Sequence, residues 1–251
     1  MRVIAIMLIA LAGLPAGQSH AQTQPQMTRL QIVGPARPPY IIDQDGAGAG
    51  PAVELVQQLA VSAGIDPTVR ILPFQRAVLA LDQGDTIYPA LLRTPQREKR
   101  YQWIGEVFAD RAVFFTRRET TVVNAIDGAR ALPVIGVMRG SELQFILQSL
   151  GLDRMEANAS ENDNARLLQA ERIDGWFALE AVGRATWREL DFNPANLRSG
   201  EPFALLSFWI AGSANLPPNT VAKLRAVYRA MRADGRYQRI IAPLAALTAP
   251  S

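Results

Sequence analysis

The chain has 251 residues, enough for one large domain or two small ones, and 49% hydrophobic residues supply a core for either. It has no cysteine and a single histidine, His20, which lies in a leader-like segment; disulfides, a lipid-modified cysteine, Cys-His and Ser-His-Asp catalysis and ordinary zinc sites are therefore excluded from the remainder. With 26 Lys+Arg against 23 Asp+Glu, the net charge of +3 is too small and too mixed for a nucleic-acid footprint.

Residues 1–21 read as a secretory signal: Met1-Arg2, an apolar run from Val3 to Leu14, and a small-residue end at Ser19-His20-Ala21. That run is too short for a permanent span, so an exported, periplasmic chain cleaved after Ala21 is expected. A polar tail, Gln22 to Gln26, follows. Leu30 to Val33 is the first strand, and Pro35, Pro38, Pro39 and Tyr40 hold an extended loop behind it. The segment Gly46 to Pro51, GAGAGP, lacks the Lys-Ser/Thr of a phosphate loop and reads as a flexible turn before an amphipathic helix over Ala52 to Ala63.

Val69 to Leu72 is the next strand, Pro73-Phe74-Gln75-Arg76 opens a helix over Ala77 to Gln83, and Ile87 to Leu92 is a third strand. Thr94-Pro95 then starts a predicted helix on which Arg93, Arg97 and Arg100 cluster beside free backbone N–H groups. Two readings stand together: an anion site, or a solvated face with Glu98 as a partner. Val113 to Thr116 is a strand whose continuation, Arg117 to Thr121, crosses to a second half. There Leu132 to Met138 is a strand, Arg139-Gly140-Ser141 a turn into a helix over Leu143 to Leu150, and Arg154 to Ala157 a strand. A helix over Asp163 to Ala170, a strand over Ile173 to Leu179 and a helix over Glu180 to Leu190 follow. Leu205 to Ala211 is the return strand, and helices cover Asn219 to Arg232 and Arg236 to Ile241.

Strand and helix alternate twice, which predicts two doubly wound α/β lobes. No Gly/Ser-rich linker separates them, so strands should join them as a hinge. In such sheets ligands sit past the carboxyl ends of strands. Tyr40, Phe74, Arg76 and Arg93 lie there. Tyr40, Phe74 and Trp176 either stack on a ligand or pack in the core, and Trp103, Trp187 and Trp209 are assigned to packing. Arg76 faces a ligand anion or ties its helix to Asp82 or Asp85. Ser141 either caps its helix or, with Arg139 and Gly140, donates to an anion.

Several ordered elements resemble the bacterial extracellular solute-binding proteins of family 3, over essentially all of the chain after its leader. They are Pro38-Pro39-Tyr40, Pro73-Phe74-Gln75-Arg76-Ala77, Thr94-Pro95-Gln96-Arg97-Glu98, Tyr101-Gln102-Trp103, Ile135 to Gly140 and Arg172-Ile173-Asp174-Gly175. The resemblance implies a two-lobed type II periplasmic-binding-protein fold whose lobes are joined by two hinge strands, with residues 27–114 and 204–251 in one lobe and 115–203 in the other. It implies a monomer that clamps a small solute without a cofactor and passes it to an ABC-type permease, or reports it to a membrane sensor. Arg97 matches the residue that holds a ligand carboxylate in amino-acid-binding members, a task a planar guanidinium suits. Pro89, Ala90 and Leu92 stand where those members carry hydroxyl or glycine contacts. The acidic residue of the second lobe falls at or near Leu179, with Glu180 one place later. The expected binding set is Tyr40, Phe74, Arg76, Arg93, Arg97, Arg139, Ser141, Trp176 and Glu180. An enzyme on the same fold, dehydratase-like or using a carboxylate pair among Glu54, Glu106, Asp110 and Glu180, is the rival class.

Overall fold

The structure, a computed structural model, describes residues 30–248; the leader-like segment 1–21 and the polar tail lie outside them. In the first lobe, β1 (Gln31–Gly34), β4 (Val69–Ile71) and β5 (Thr86–Leu92) pair in parallel with β1 in the middle. β5 is buried along its whole length, which is why its sequence is an apolar run rather than an alternation. Helices α1 (Pro51–Ser62) and α2 (Phe74–Gln83) connect these strands. α1 carries Pro51 in its first turn and buries Val53, Leu55, Val56 and Leu59.

The segment predicted as a flexible turn is instead a hairpin, β2 (Ile42–Gln44) and β3 (Ala47–Ala49). Asp45 and Gly46 form its tip with φ of 53° and 86°, and the Gly46 N–H donates to Asp43 Oδ1 at 2.7 Å. An Asp-Gly pair between extended residues is a strong hairpin signal, outweighed in the sequence by the glycines that follow it.

The largest departure from expectation is β6, a single strand from Gln102 to Arg117. Only its last part was predicted as a strand, because Gln102, Glu106, Asp110 and Arg111 break the apolar pattern. β6 serves both lobes. From Gln102 to Ala112 it pairs antiparallel with β11 (Ala204–Gly212), which in turn pairs with β5. From Ala112 to Phe115 it pairs with β9 (Gly175–Leu179), and from Phe115 to Arg117 with β10 (Leu197–Ser199). The returning chain stays bonded beside it, Gly200 N–H to Phe114 O at 3.1 Å and Phe203 N–H to Ala112 O at 2.8 Å. The two crossings thus lie side by side at one hinge, and the crossing falls within β6 rather than in Arg117 to Thr121.

In the second lobe β7 (Ile135–Met138) pairs in parallel with β9 on one side and β8 (Met155–Asn158) on the other. Its helices are α3 (Ile126–Ala131), which the sequence reading missed, α4 (Glu142–Ser149), α5 (Glu161–Gln169) and α6 (Glu180–Glu189). α7 (Pro218–Ala233) and α8 (Arg236–Thr248) return to the first lobe against α1 and β6, and α8 also touches α6. No helix of the described residues is long and apolar enough to cross a membrane.

At Gly183, among other glycines, the packing leaves no room for a side chain. A Cβ on Gly183 of α6 would stand 2.2 Å from Cε2 of the fully buried Phe115. Gly183→Ala is expected to cost about 2 kcal/mol through displacement of that ring. A thermal unfolding midpoint lowered by about 4–8 °C would show it, and an unchanged midpoint would count against this packing.

Candidate functional site

The carboxyl ends of the parallel strands in both lobes face one cleft of about 560 Å³. One wall comes from Pro35 to Pro38 after β1, Leu72 to Phe74 after β4, β5 residues, Arg97, and Leu206 and Phe208 of β11. The other comes from Met138 to Leu143 after β7, Ala159 to Asn162 after β8, and Leu179 and Val182 after β9. The volume suits a small molecule.

Of the residues expected at the site, Phe74, Arg97, Arg139 and Ser141 line this cleft. Arg97 does not sit on a helix. Residues 95–100 form successive turns, with N–H groups of Arg97 and Arg100 bonded three residues back to Thr94 O and Arg97 O, both at 3.0 Å. The bonds of this segment all reach three residues back, Glu98 N to Pro95 O included, so it is a run of turns and no α-helix terminus backs the arginines. The Arg97 guanidinium is positioned by Leu92 O, to which Nη1 donates at 3.2 Å. It reaches across the cleft to Glu142 Oε2, 3.6 Å away.

On the facing wall, the Ser141 hydroxyl and the Gly140 N–H are already engaged. Ser141 Oγ accepts from Gln144 N at 3.2 Å and donates to Met138 O at 2.7 Å, while Gly140 N–H donates to Gln144 Oε1 at 2.7 Å. The hydroxyl therefore serves as a helix cap at the edge of the cleft. Arg139 is likewise committed, its Nε and Nη2 donating to Ala157 O at 3.2 and 2.8 Å.

Five expected residues do not line the cleft. Tyr40 is 1% exposed, stacked on Phe108 at 3.6 Å between centroids, and its hydroxyl donates to Asp110 Oδ2 at 2.5 Å. Trp176 is fully buried against Phe115, 5.3 Å between centroids. Both aromatics are core: Trp176 because β9 is buried along its whole length, and Tyr40 because the turn after Arg37 lays its ring on Phe108. Arg76 is exposed on α2, and Asp82, its suggested partner, is held instead by Arg100 at 2.7 Å and Tyr101 at 2.8 Å. Arg93 grips Glu98 with two bonds of 2.8 and 2.5 Å and lies 4.3 Å over the ring of Trp209. The fork fits a carboxylate, so for Arg93 the local ion pair prevails. Glu180 is buried at the hinge in ion pairs with Arg111 at 2.6 Å and Arg184 at 3.0 Å. Beginning α6 one residue past the strand end turns it away from the cleft.

The same hinge holds Asp110, 1% exposed, which accepts from Tyr40 of the first lobe and from Ala181 N of the second at 3.3 Å. Burial pushes its carboxyl above the ordinary range, opposed by the bonds from Tyr40, Arg111 N and Ala181 N. Burial and the adjacent Asp110 carboxylate together push the Tyr40 hydroxyl far up, so it stays a neutral donor.

Four charged residues of the cleft are absent from the expected binding set: Arg37, Asp43, Glu142 and Glu161. Arg37 lies in the proline-rich loop at the end of β1, its Cζ 5.2 Å from the Phe208 ring centre. Glu161 opens α5 after β8. The strand-end rule that pointed to Tyr40 and Phe74 applies to both, but nothing in the local pattern separates them from other charged loop residues.

A mixed sheet in two lobes, joined at one strand hinge around a cleft of solute size, is the frame in which the comparisons with known proteins fall. No curated protein matches the sequence. A mutant of ArgBP from T. maritima superposes with a TM-score of 0.73 at 18% identity, over 86% of this chain and 95% of that one. A histidine kinase sensor domain with similarity to periplasmic binding proteins gives 0.73 at 21%, over 86% and 96%. The ancestral amino acid-binding protein AncCDT-1, a precursor of cyclohexadienyl dehydratase, gives 0.69 at 15%, over 86% and 94%. At these identities the likeness concerns the fold. The sequence itself is matched over residues 31–243 by the family model whose members have this architecture, and on that span the chain belongs to the bacterial extracellular solute-binding proteins, family 3.

Proposed function

We propose that this solute-binding protein captures a small polar solute, anionic or amino-acid-like, by closing its two lobes about β6 and the 200–203 crossing. The closed form is then presented to a membrane transporter. The lobes in this reading comprise residues 27–114 with 204–251, and 115–203, and the mature chain is periplasmic and acts by binding without turnover. The observation that carries it is the Arg97 guanidinium in the cleft, anchored on Leu92 O and 3.6 Å from a carboxylate of the opposite lobe. A solute anion that replaces that carboxylate would bridge the lobes, and its differential affinity for the closed form would shift the equilibrium toward closure. Family membership supports solute binding, and the cleft's position at the ends of six strands supports the place.

The test is native mass spectrometry of the protein isolated from its own cell envelope, paired with small-angle scattering before and after removal of any bound molecule. A co-purifying small solute, and a radius of gyration that grows when it is removed, are expected. A chain that carries nothing and scatters identically under both conditions would contradict solute capture by closure.

A further inference from the structure

The second-lobe wall holds one carboxylate built into place from behind. Trp176, fully buried, donates its Nε1–H to Glu161 Oε2 at 2.8 Å, and Asn164, also fully buried, donates Nδ2–H to the same oxygen at 3.2 Å. Asn164 is oriented in turn by Asn158, whose Nδ2 donates to Asn164 Oδ1 at 3.0 Å. The Asn158–Asn164–Glu161–Trp176 chain spends two interior side chains on one cleft carboxylate. Interior polar groups are costly unless fully bonded, so this is a fixed acceptor rather than a solvated surface acid.

Both bonds fall on Oε2, and among the described residues no donor reaches Oε1. Glu142, the other second-lobe acid in the cleft, is taken up by Arg97 at 3.6 Å. Leu179 and Val182 beside them are apolar, so the end of β9 offers the cleft no charge. Burial pushes the Glu161 carboxyl upward, while the bonds from Trp176 and Asn164 and the field of Arg37 pull it back toward the ionised form. Among the described residues no ion pair joins Arg37 to Glu161. A positive or hydrogen-bond-donating group placed between the walls would complete the site.

Resting on the solute-binding reading above, we infer that Glu161 is a specificity-determining residue, whose Oε1 accepts from a cationic, donor-bearing end of the solute. Trp176 and Asn164 are its positioning residues. The solute is then bipolar across the cleft, its anion on the Arg97 wall and its cation on the Glu161 wall, and a dianion is disfavoured. A carboxylate held in a partly dry cleft discriminates strongly, because a second anion there is repelled and a missing donor leaves it unpartnered.

The experiment is a thermal-shift series with the twenty common amino acids, succinate and glutarate. Titration calorimetry of the strongest responder follows, on the unaltered protein, Glu161→Gln and Glu161→Asp. The strongest responder is expected to be an amino acid, bound at least about tenfold more weakly by Glu161→Gln, with Glu161→Asp in between. The unfolding midpoint of the free protein should change little. Preference for succinate or glutarate, or a Glu161→Gln affinity within about twofold of the unaltered protein, would overturn the assignment while leaving solute binding intact. If Glu161→Gln fails to fold, the Glu161→Asp comparison decides by the same criterion. A chain that responds to none of the probes overturns the bipolar assignment of Glu161, and solute binding itself is then judged by the co-purification and scattering experiment above.

Discussion

Asp110→Ala should destabilise the folded protein by about 3 kcal/mol, because it strands two donors drawn from different lobes. Tyr40 has its hydroxyl on Asp110 Oδ2 at 2.5 Å, and Ala181 N, at the free amide end of α6, has no helical acceptor of its own. Neither is open to water, since Tyr40 and Ala181 are 1% and 0% exposed. Asp110→Asn keeps the size and one acceptor oxygen, so it should cost much less, about 1 kcal/mol. A midpoint drop of roughly 6–12 °C for the alanine variant, several times that for asparagine, is the expected calorimetric result. Equal drops would mean that loss of volume, not the stranded donors, sets the effect. The pH dependence has a definite sign. The folded-state pKa of Asp110 is raised above its ordinary 3.8. Between those two values the folded chain binds more protons than the unfolded one, so stability falls as pH rises through that window. Asparagine at this position removes that contribution.

Arg97→Ala should weaken solute binding by between about ten- and a hundredfold while leaving the unfolding midpoint nearly unchanged. The loss is large because a charge-assisted bond in a cleft shielded by two lobes is removed. The fold is spared because the bonds of the guanidinium are weak ones: a 3.2 Å contact to Leu92 O and a part-exposed 3.6 Å pair with Glu142. Arg97→Lys keeps the charge but loses the planar fork, and should recover only part of the affinity. Calorimetry with the solute recovered from the native protein reads both variants. An alanine variant that binds as tightly as the unaltered chain would remove Arg97 from the site. Arg93→Ala is the matched control, since its bidentate grip on Glu98 leaves it no role in the cleft.

Much of this molecule was legible before folding. Apolar runs bounded by Pro and Gly located β1, β4, β5, β7, β9 and β11, because strands covered on both faces need such runs. Ser141 read equally as a cap or as an anion donor and was placed in the binding set; its bonds to Gln144 N and Met138 O make it a cap. β6 was legible only in its last part, since a hinge strand shared by two lobes carries Glu106, Asp110 and Arg111 for partners far away in sequence. Glu106 takes its bond from Ser207, and Asp110 from Tyr40. The Asp45-Gly46 hairpin was signalled in the sequence and went unread.

By itself, the sequence determined the two-lobed alternation, the absence of thiol chemistry and of any histidine after residue 20, and the presence of an arginine cluster after β5. Local forces decide these: periodicity, caps and turn residues act within a few positions of one another. Only the tertiary structure decided that Arg97 faces the cleft while Arg93 folds back on Glu98. It also decided that Tyr40 and Trp176 serve the core, and that Arg37 and Glu161 line opposite walls of the cleft. Those outcomes depend on distances between residues on separate lobes, set by how β6 and its returning neighbour pair at the hinge, and no short window of sequence carries that geometry.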